Sequence, residues 1–113
     1  MPNNNPTTQV AVIILNWNGE KLLREFLPSV VEFTPRPLAR IIVADNGSTD
    51  GSLQLLADEF PDVEIMAFPE NYGFARGYNE ALSRGNEPYT VLLNSDVAVI
   101  SDWLTPLYDW DFE

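Results

Sequence analysis

Two short segments of this chain end in clusters of oxygen-bearing side chains. Ile41-Ile-Val-Ala-Asp-Asn-Gly-Ser-Thr-Asp50 is an apolar run that stops at Asp45, Asn46 and Asp50. Tyr89-Thr-Val-Leu-Leu-Asn-Ser-Asp96 stops in the same way at Asn94, Ser95 and Asp96. The 113 residues include no histidine and no cysteine. Disulfides, zinc–thiolate centres and thiol nucleophiles are therefore excluded, and acid–base work falls to carboxylates. Carboxylate and amide oxygens of this kind suit a hard cation and the hydroxyls of a ribose.

Each candidate has a functional and an ordinary reading. Asp96, on a strand end, can hold a hard cation that neutralises a diphosphate. Asn94, two residues earlier, faces the same side of an extended chain and can hydrogen-bond a ribose hydroxyl. Alone, Asn-Ser-Asp would pass for turn chemistry; the first cluster favours the functional reading. Asp45 can accept the imino N–H of a pyrimidine base, and Asn46, which follows it into the turn, is a further nucleotide-binding candidate. Asp50 or Ser48 reads better as a helix cap. Trp17 can pack on a flat base or cover the sheet end, and both readings stay open. Asn71-Tyr-Gly-Phe-Ala-Arg-Gly-Tyr-Asn79 opens a helix, whose N-terminus attracts phosphate. Gly73 and Gly77 there permit close approach, and Arg76 adds a positive charge. The glycine spacing is not that of a dinucleotide fingerprint.

These residues act together only if the chain brings them to one place. Gln9–Leu15 reads as a strand buried on both faces, followed by a loop at 16–19. From Glu20 the apolar positions Leu22, Leu23, Phe26, Leu27, Val30, Val31 and Phe33 form one helical stripe, with a kink or break expected at Pro28. Residues 34–37 are a stiff connector and 40–44 a second strand. A helix after Asp50 ends before Pro61, and a third strand spans 63–68. A helix capped by Asn71 ends at Gly85, and a fourth strand spans 89–93. Ser101 caps a last expected helix with Trp103, Leu104, Leu107 and Tyr108. Strand–helix alternation predicts a three-layer α/β/α domain with a mostly parallel sheet. Ligands of such sheets bind at the carboxyl ends of the strands. Residues 1–8 read as a disordered lead-in, and 9–113 as the domain.

The net charge is −11, with six basic residues. Nucleic-acid binding is excluded as an expectation, because clustered Lys and Arg are missing. An acidic chain that binds a phosphate-rich ligand needs a cation between the two. No apolar stretch approaches the ~20 residues of a membrane span. Met1–Thr8 lacks the basic and apolar parts of a signal peptide, so a cytoplasmic location is expected.

Val10–Gly19, Ile41–Ser52, Asn71–Leu82 and Val91–Val97 resemble, in order and spacing, the inverting family 2 glycosyltransferases of the GT-A fold. The resemblance covers residues 9–108. The segment Asn-x-Gly-Phe-Ala-x-Gly-x-Asn is similar to the rhamnosyltransferase-like branch. It implies a Rossmann-like GT-A nucleotide-binding half that takes a nucleoside diphosphate sugar, a dTDP- or UDP-sugar. It further implies that Asp45 binds the base, that Asn16, Trp17 and Asn18 line base and ribose, and that Asp96 ligates Mn²⁺ or Mg²⁺. Asn94 stands where the D-x-D motif of the family opens with Asp. The family continues past this strand into an acceptor half carrying the general base. The expectation is therefore a donor-binding half that transfers no sugar alone, from a parent enzyme that is membrane-peripheral and serves cell-wall or polysaccharide synthesis. The alternative is a non-catalytic nucleotide-binding module, or one that self-associates as a homo-oligomer through the face left by the missing half. A receiver-type phosphoacceptor domain is set aside, because Asn16 and Asn18 stand where its acidic pair would be and Lys21 is the only lysine.

Overall fold

The computed structural model describes residues 8–36 and 38–105. Of the expected lead-in at 1–8, residues 1–7 lie outside the described residues, as do the expected helical positions Leu107 and Tyr108. Four strands, β1 (Val10–Asn16), β2 (Ala39–Asp45), β3 (Glu64–Ala67) and β4 (Tyr89–Leu93), form one sheet in the order β3-β2-β1-β4. Every pairing is parallel, and the register sets Asn16 against Asp45 and Ile14 against Leu93. Three helices connect them: α1 (Glu20–Phe33), α2 (Ser52–Glu59) and α3 (Phe74–Ser83).

The two central strands are almost wholly apolar because helices cover both faces. On one face Ile14, Ile41 and Val43 pack with Leu23, Leu27 and Val30 of α1 and Leu55 and Leu56 of α2. On the other face Ala11, Ile13, Ile42 and Ala44 pack with Tyr78 and Ala81 of α3. The chain moves one way from β1 to β3 and then jumps back to β4. Crossovers of constant right hand then place α3 opposite α1 and α2, as observed. At the amino edge of the sheet, Arg40 holds Glu64 of β3 through Nη1 and Glu87 through Nε, both at 2.5 Å. Its β1 neighbour is Ala11, whose small side chain leaves room for the guanidinium to reach Glu87 beside β4. The outer strands are thus tied at the edge opposite the oxygen clusters.

Three local expectations are corrected. α1 runs unbroken through Pro28. Pro28 lies on the exposed face, where water can take the carbonyl that loses its donor. α3 has Gly73, not Asn71, as its N-cap, with φ 83°. Asn71 Oδ1 instead accepts from the Gly73 N–H at 2.7 Å, two residues on, an Asx-turn that sets up the helix rather than capping it. Residues 101–104 form turns rather than the start of a capped helix, and Asp102 is left-handed at φ 61°.

Candidate functional site

The strand order places a switch point between β1 and β4, where connections leave in opposite directions. In open parallel sheets this crevice, at the carboxyl ends, is where ligands bind. Asn16-Trp-Asn18 follow β1, Asn94-Ser-Asp96 follow β4, and Asp45-Asn46 close β2, so one edge gathers all three groups. The start of α3 joins that edge through Asn46.

The candidates divide into an internal frame and an exposed rim. Asn16 and Asp45 are each 1% exposed. Asn16 Nδ2 donates to Asp45 Oδ1 at 2.9 Å. The Ser48 hydroxyl donates to the same oxygen at 2.8 Å, and the Ser48 N–H donates to Asp45 Oδ2 at 3.0 Å. Ser48 Oγ in turn accepts from the Asn18 N–H at 2.8 Å and from Asn16 Nδ2 at 3.3 Å. Asn18 sits at φ 50°, a conformation Asn tolerates. Its Oδ1 accepts from the N–H groups of Thr49 and Asp50 at 2.7 and 3.2 Å. The β1 and β2 loops are thereby laced together. Asp45 Oδ1 has both lone pairs engaged, whereas Oδ2 accepts one hydrogen bond among the described residues. Asn16 Oδ1 is buried without a hydrogen-bond partner among the described residues. A Cβ at Gly19 would collide with it.

Asn46 is also spent internally. It is 2% exposed. Its Oδ1 accepts from the Tyr72 N–H at 2.8 Å and its Nδ2 donates to the Gly73 carbonyl at 3.0 Å. A Cβ on Gly77 would lie 2.9 Å from that Nδ2, so the glycine lets α3 close on β2. Asn46 thus fixes the start of α3 rather than offering its amide outward.

Asp50 and Glu20 join the N-termini of α1 and α2. Asp50 Oδ1 accepts from the Ser52 N–H at 2.9 Å and from its hydroxyl at 2.6 Å, and Oδ2 accepts from the Glu20 N–H at 3.1 Å. Glu20 Oε1 accepts from the Gly51 N–H at 3.1 Å. Burial works to raise the Asp50 carboxyl, but these donors outweigh it and hold it below its ordinary value. The N-cap of α2 is Gly51, without a side-chain cap bond, rather than Asp50 or Ser48 as expected; Asp50 precedes it and serves two helix starts through one carboxylate.

The rim consists of Trp17, Arg76, Asn94 and Asp96, all exposed. Trp17 is 55% exposed and does not cover the sheet end. Arg76 lies with its guanidinium carbon 4.2 Å from the centroid of the Tyr72 ring. The side chains of Asn94 and Asp96 make no hydrogen bond or ion pair among the described residues. The described residues contain no group of three acidic side chains placed to hold a metal. A cation here would be held by Asp96, with Asn94 beside it, and by ligand phosphates. That sparse donor set fits Mg²⁺, which commonly takes one or two carboxylates plus substrate phosphates.

Sequence reasoning missed three contributors. Local spacing marks Ser48 only as a cap, Glu20 only as a helix start and Tyr72 not at all. Their partners lie about thirty residues away in sequence, a pairing that no local spacing reveals.

A parallel sheet with a switch-point crevice, a laced β1–β2 corner and an exposed acid after β4 defines an open α/β protein with a candidate ligand edge at its strand ends. The family model of Glycosyl transferase family 2 matches residues 11–111, and the chain belongs to that family. The N-acetylglucosaminyl-diphospho-decaprenol L-rhamnosyltransferase of Mycobacterium tuberculosis (strain ATCC 25618 / H37Rv) is 30% identical over 81 residues, covering 72% of this chain and 26% of that protein. Glycosyltransferase YfnE of Bacillus subtilis is 31% identical over 96 residues, covering 83% and 24%. The chain thus spans about a quarter of the length of these relatives. Among solved structures, S. aureus TarS 1-349 superposes with a TM-score of 0.79 at 22% identity, covering 91% of this chain and 32% of that one. Mannosyltransferase PcManGT from Pyrobaculum calidifontis, in complex with GDP-Man and Mn²⁺, gives 0.81 at 26%, covering 100% and 35%. The fold is that of the GT-A glycosyltransferases. Among the described residues no helix is long and apolar enough to cross a membrane.

Proposed function

We propose that this chain forms the donor-nucleotide site of a glycosyltransferase that moves a sugar from a nucleoside diphosphate to a hydroxyl with inversion. The observation that carries this reading is the shared carboxyl edge, with Asp45 beside β1 on one side and Asp96 on the other. A nucleotide laid across the crevice would meet the base-recognising corner first and the acid last. The PcManGT complex with GDP-Man and Mn²⁺ supports a nucleotide sugar and a divalent cation. The relative named as a rhamnosyltransferase supports a deoxysugar donor such as a dTDP-sugar, with a UDP-sugar the other candidate.

In this reading Asn16, Asn18 and Ser48 hold Asp45 in place for the base, and Trp17 offers an exposed indole face to base or ribose. Asn94 hydrogen-bonds the ribose. Asp96 would hold Mn²⁺ or Mg²⁺, which when bound supplies charge neutralisation for the departing diphosphate. Inversion requires the acceptor hydroxyl to lose a proton as it attacks the anomeric carbon from the side opposite the diphosphate. That base belongs to the acceptor-binding part of the parent enzyme. Transfer by this chain alone is not expected, since acceptor orientation can be worth roughly 7–11 kcal/mol. Residues 9–113 form the nucleotide-binding half in this account, cytoplasmic and working at a membrane surface.

The test is a nuclear magnetic resonance titration with uridine or thymidine diphosphate and Mg²⁺. Amide signals of residues 16–19, 45–49 and 94–96 should shift together. Shifts confined to the amino edge around Arg40 and Glu87 would refute the site. A second reading, a module that pairs with another copy and transfers nothing, draws on β4. Its outer edge is unpaired among the described residues and Leu92 is 48% exposed. Concentration-dependent sedimentation that Leu92→Lys abolishes would favour it.

A further inference from the structure

The arginines of this acidic chain are almost all committed. Arg24 pairs with Glu20 and Glu59, Arg36 with Asp62, Arg40 with Glu64 and Glu87, and Arg84 with Glu80. Among the described residues Arg76 alone of the arginines holds no carboxylate. It rests instead on the face of Tyr72, 4.2 Å from the ring centroid. Tyr72 is itself fixed twice. Its N–H donates to the buried Asn46 amide oxygen at 2.8 Å, and its ring stacks on the buried Phe68 with centroids 5.2 Å apart. A rigid line therefore runs from the carboxyl end of β2, through Asn46 and Tyr72, to one unspent positive charge in the first turn of α3.

In a chain of net charge −11, one free guanidinium held at this edge bears directly on an anionic ligand. Phosphate oxygens are its strongest available acceptors. A long side chain left free would lose rotamer entropy on meeting them, and the ring reduces that cost by holding it beforehand. Tyr72 and Arg76 both occupy positions that the pattern Asn-x-Gly-Phe-Ala-x-Gly-x-Asn leaves unspecified.

We infer that Tyr72 is a positioning residue that holds the Arg76 guanidinium at the carboxyl edge of the sheet for the diphosphate of the bound nucleotide. The inference rests on the donor-site reading and assigns it one further residue.

The experiment is calorimetry on the whole chain with uridine diphosphate plus Mg²⁺, and separately with uridine. Tyr72→Leu should weaken diphosphate binding about two- to fivefold, the range of an exposed cation–π contact. Arg76→Gln should weaken it by at least as much, and neither should change uridine binding. Tyr72→Phe, which keeps the ring face, should recover the affinity lost in Tyr72→Leu. In the Arg76→Gln background, Tyr72→Leu should add nothing. If Tyr72→Leu weakens uridine and uridine diphosphate alike, or acts equally without Arg76, the ring is structural and the inference falls. If the unaltered chain binds neither ligand, the donor-site reading fails, and with it this inference.

Discussion

Ser48 carries more of the candidate site than its size suggests. One hydroxyl accepts from Asn18 and Asn16 and donates to Asp45, all at the corner between two loops. Ser48→Ala leaves the Asn18 N–H and part of the Asp45 carboxylate without partners, a loss worth about 1–3 kcal/mol. Urea unfolding should show that drop in midpoint, and an unchanged midpoint would mean water replaces the hydroxyl freely. Asp50 makes a prediction in pH. Its folded value is depressed, so its contribution is complete above the unfolded carboxylate value and is lost as pH falls through the folded one. Acidification below about pH 4 should therefore destabilise the native chain more steeply than Asp50→Asn. Unfolding midpoints across that range check it, and parallel slopes would remove Asp50 from the account. The oxygen-rich types at 16, 45 and 96 were legible in sequence because strands end there. That Asn16, Asn18 and Asn46 are consumed internally was not, because the partners come from other loops.

Elements position this site through their starts and stops. β2 must turn sharply after Asn46, and Gly47 does so at φ 76°. A Cβ there would lie 2.5 Å from the Glu70 carbonyl carbon and 2.7 Å from the Asn71 nitrogen. Gly47→Ala thus meets backbone strain and a backbone clash at once, and should cost about 1–3 kcal/mol. Thermal unfolding measures it, and a neutral result would show that the Glu70 loop is free to retreat. Strand and helix order was readable from apolar runs and helical stripes, because both central strands are covered on both faces. The start of α3 was misplaced by two residues, since Asn71 turns toward Gly73 before the helix begins. Pro28 does not break α1 as expected, since it lies on the exposed face.

At the scale of the whole molecule, the outcome turns on charge. A net charge of −11 repels a diphosphate at long range, and at physiological salt that repulsion extends over about 8 Å. Among the described residues the edge offers the unbonded Asn94 amide, one arginine without a carboxylate, Arg76, and the exposed Asp96. The family and fold place the chain among glycosyltransferases. In the proposed function Asp96 brings a divalent cation to a nucleoside diphosphate at the edge where Asp45 sits. Isothermal titration of the chain with uridine and thymidine diphosphates, in Mn²⁺ or Mg²⁺ and in chelator, measures it directly. Binding should be tighter with metal, and Asp96→Ala should lose most of that gain while the fold is kept. Equal affinity in metal and in chelator, or a metal effect untouched by Asp96→Ala, would contradict it.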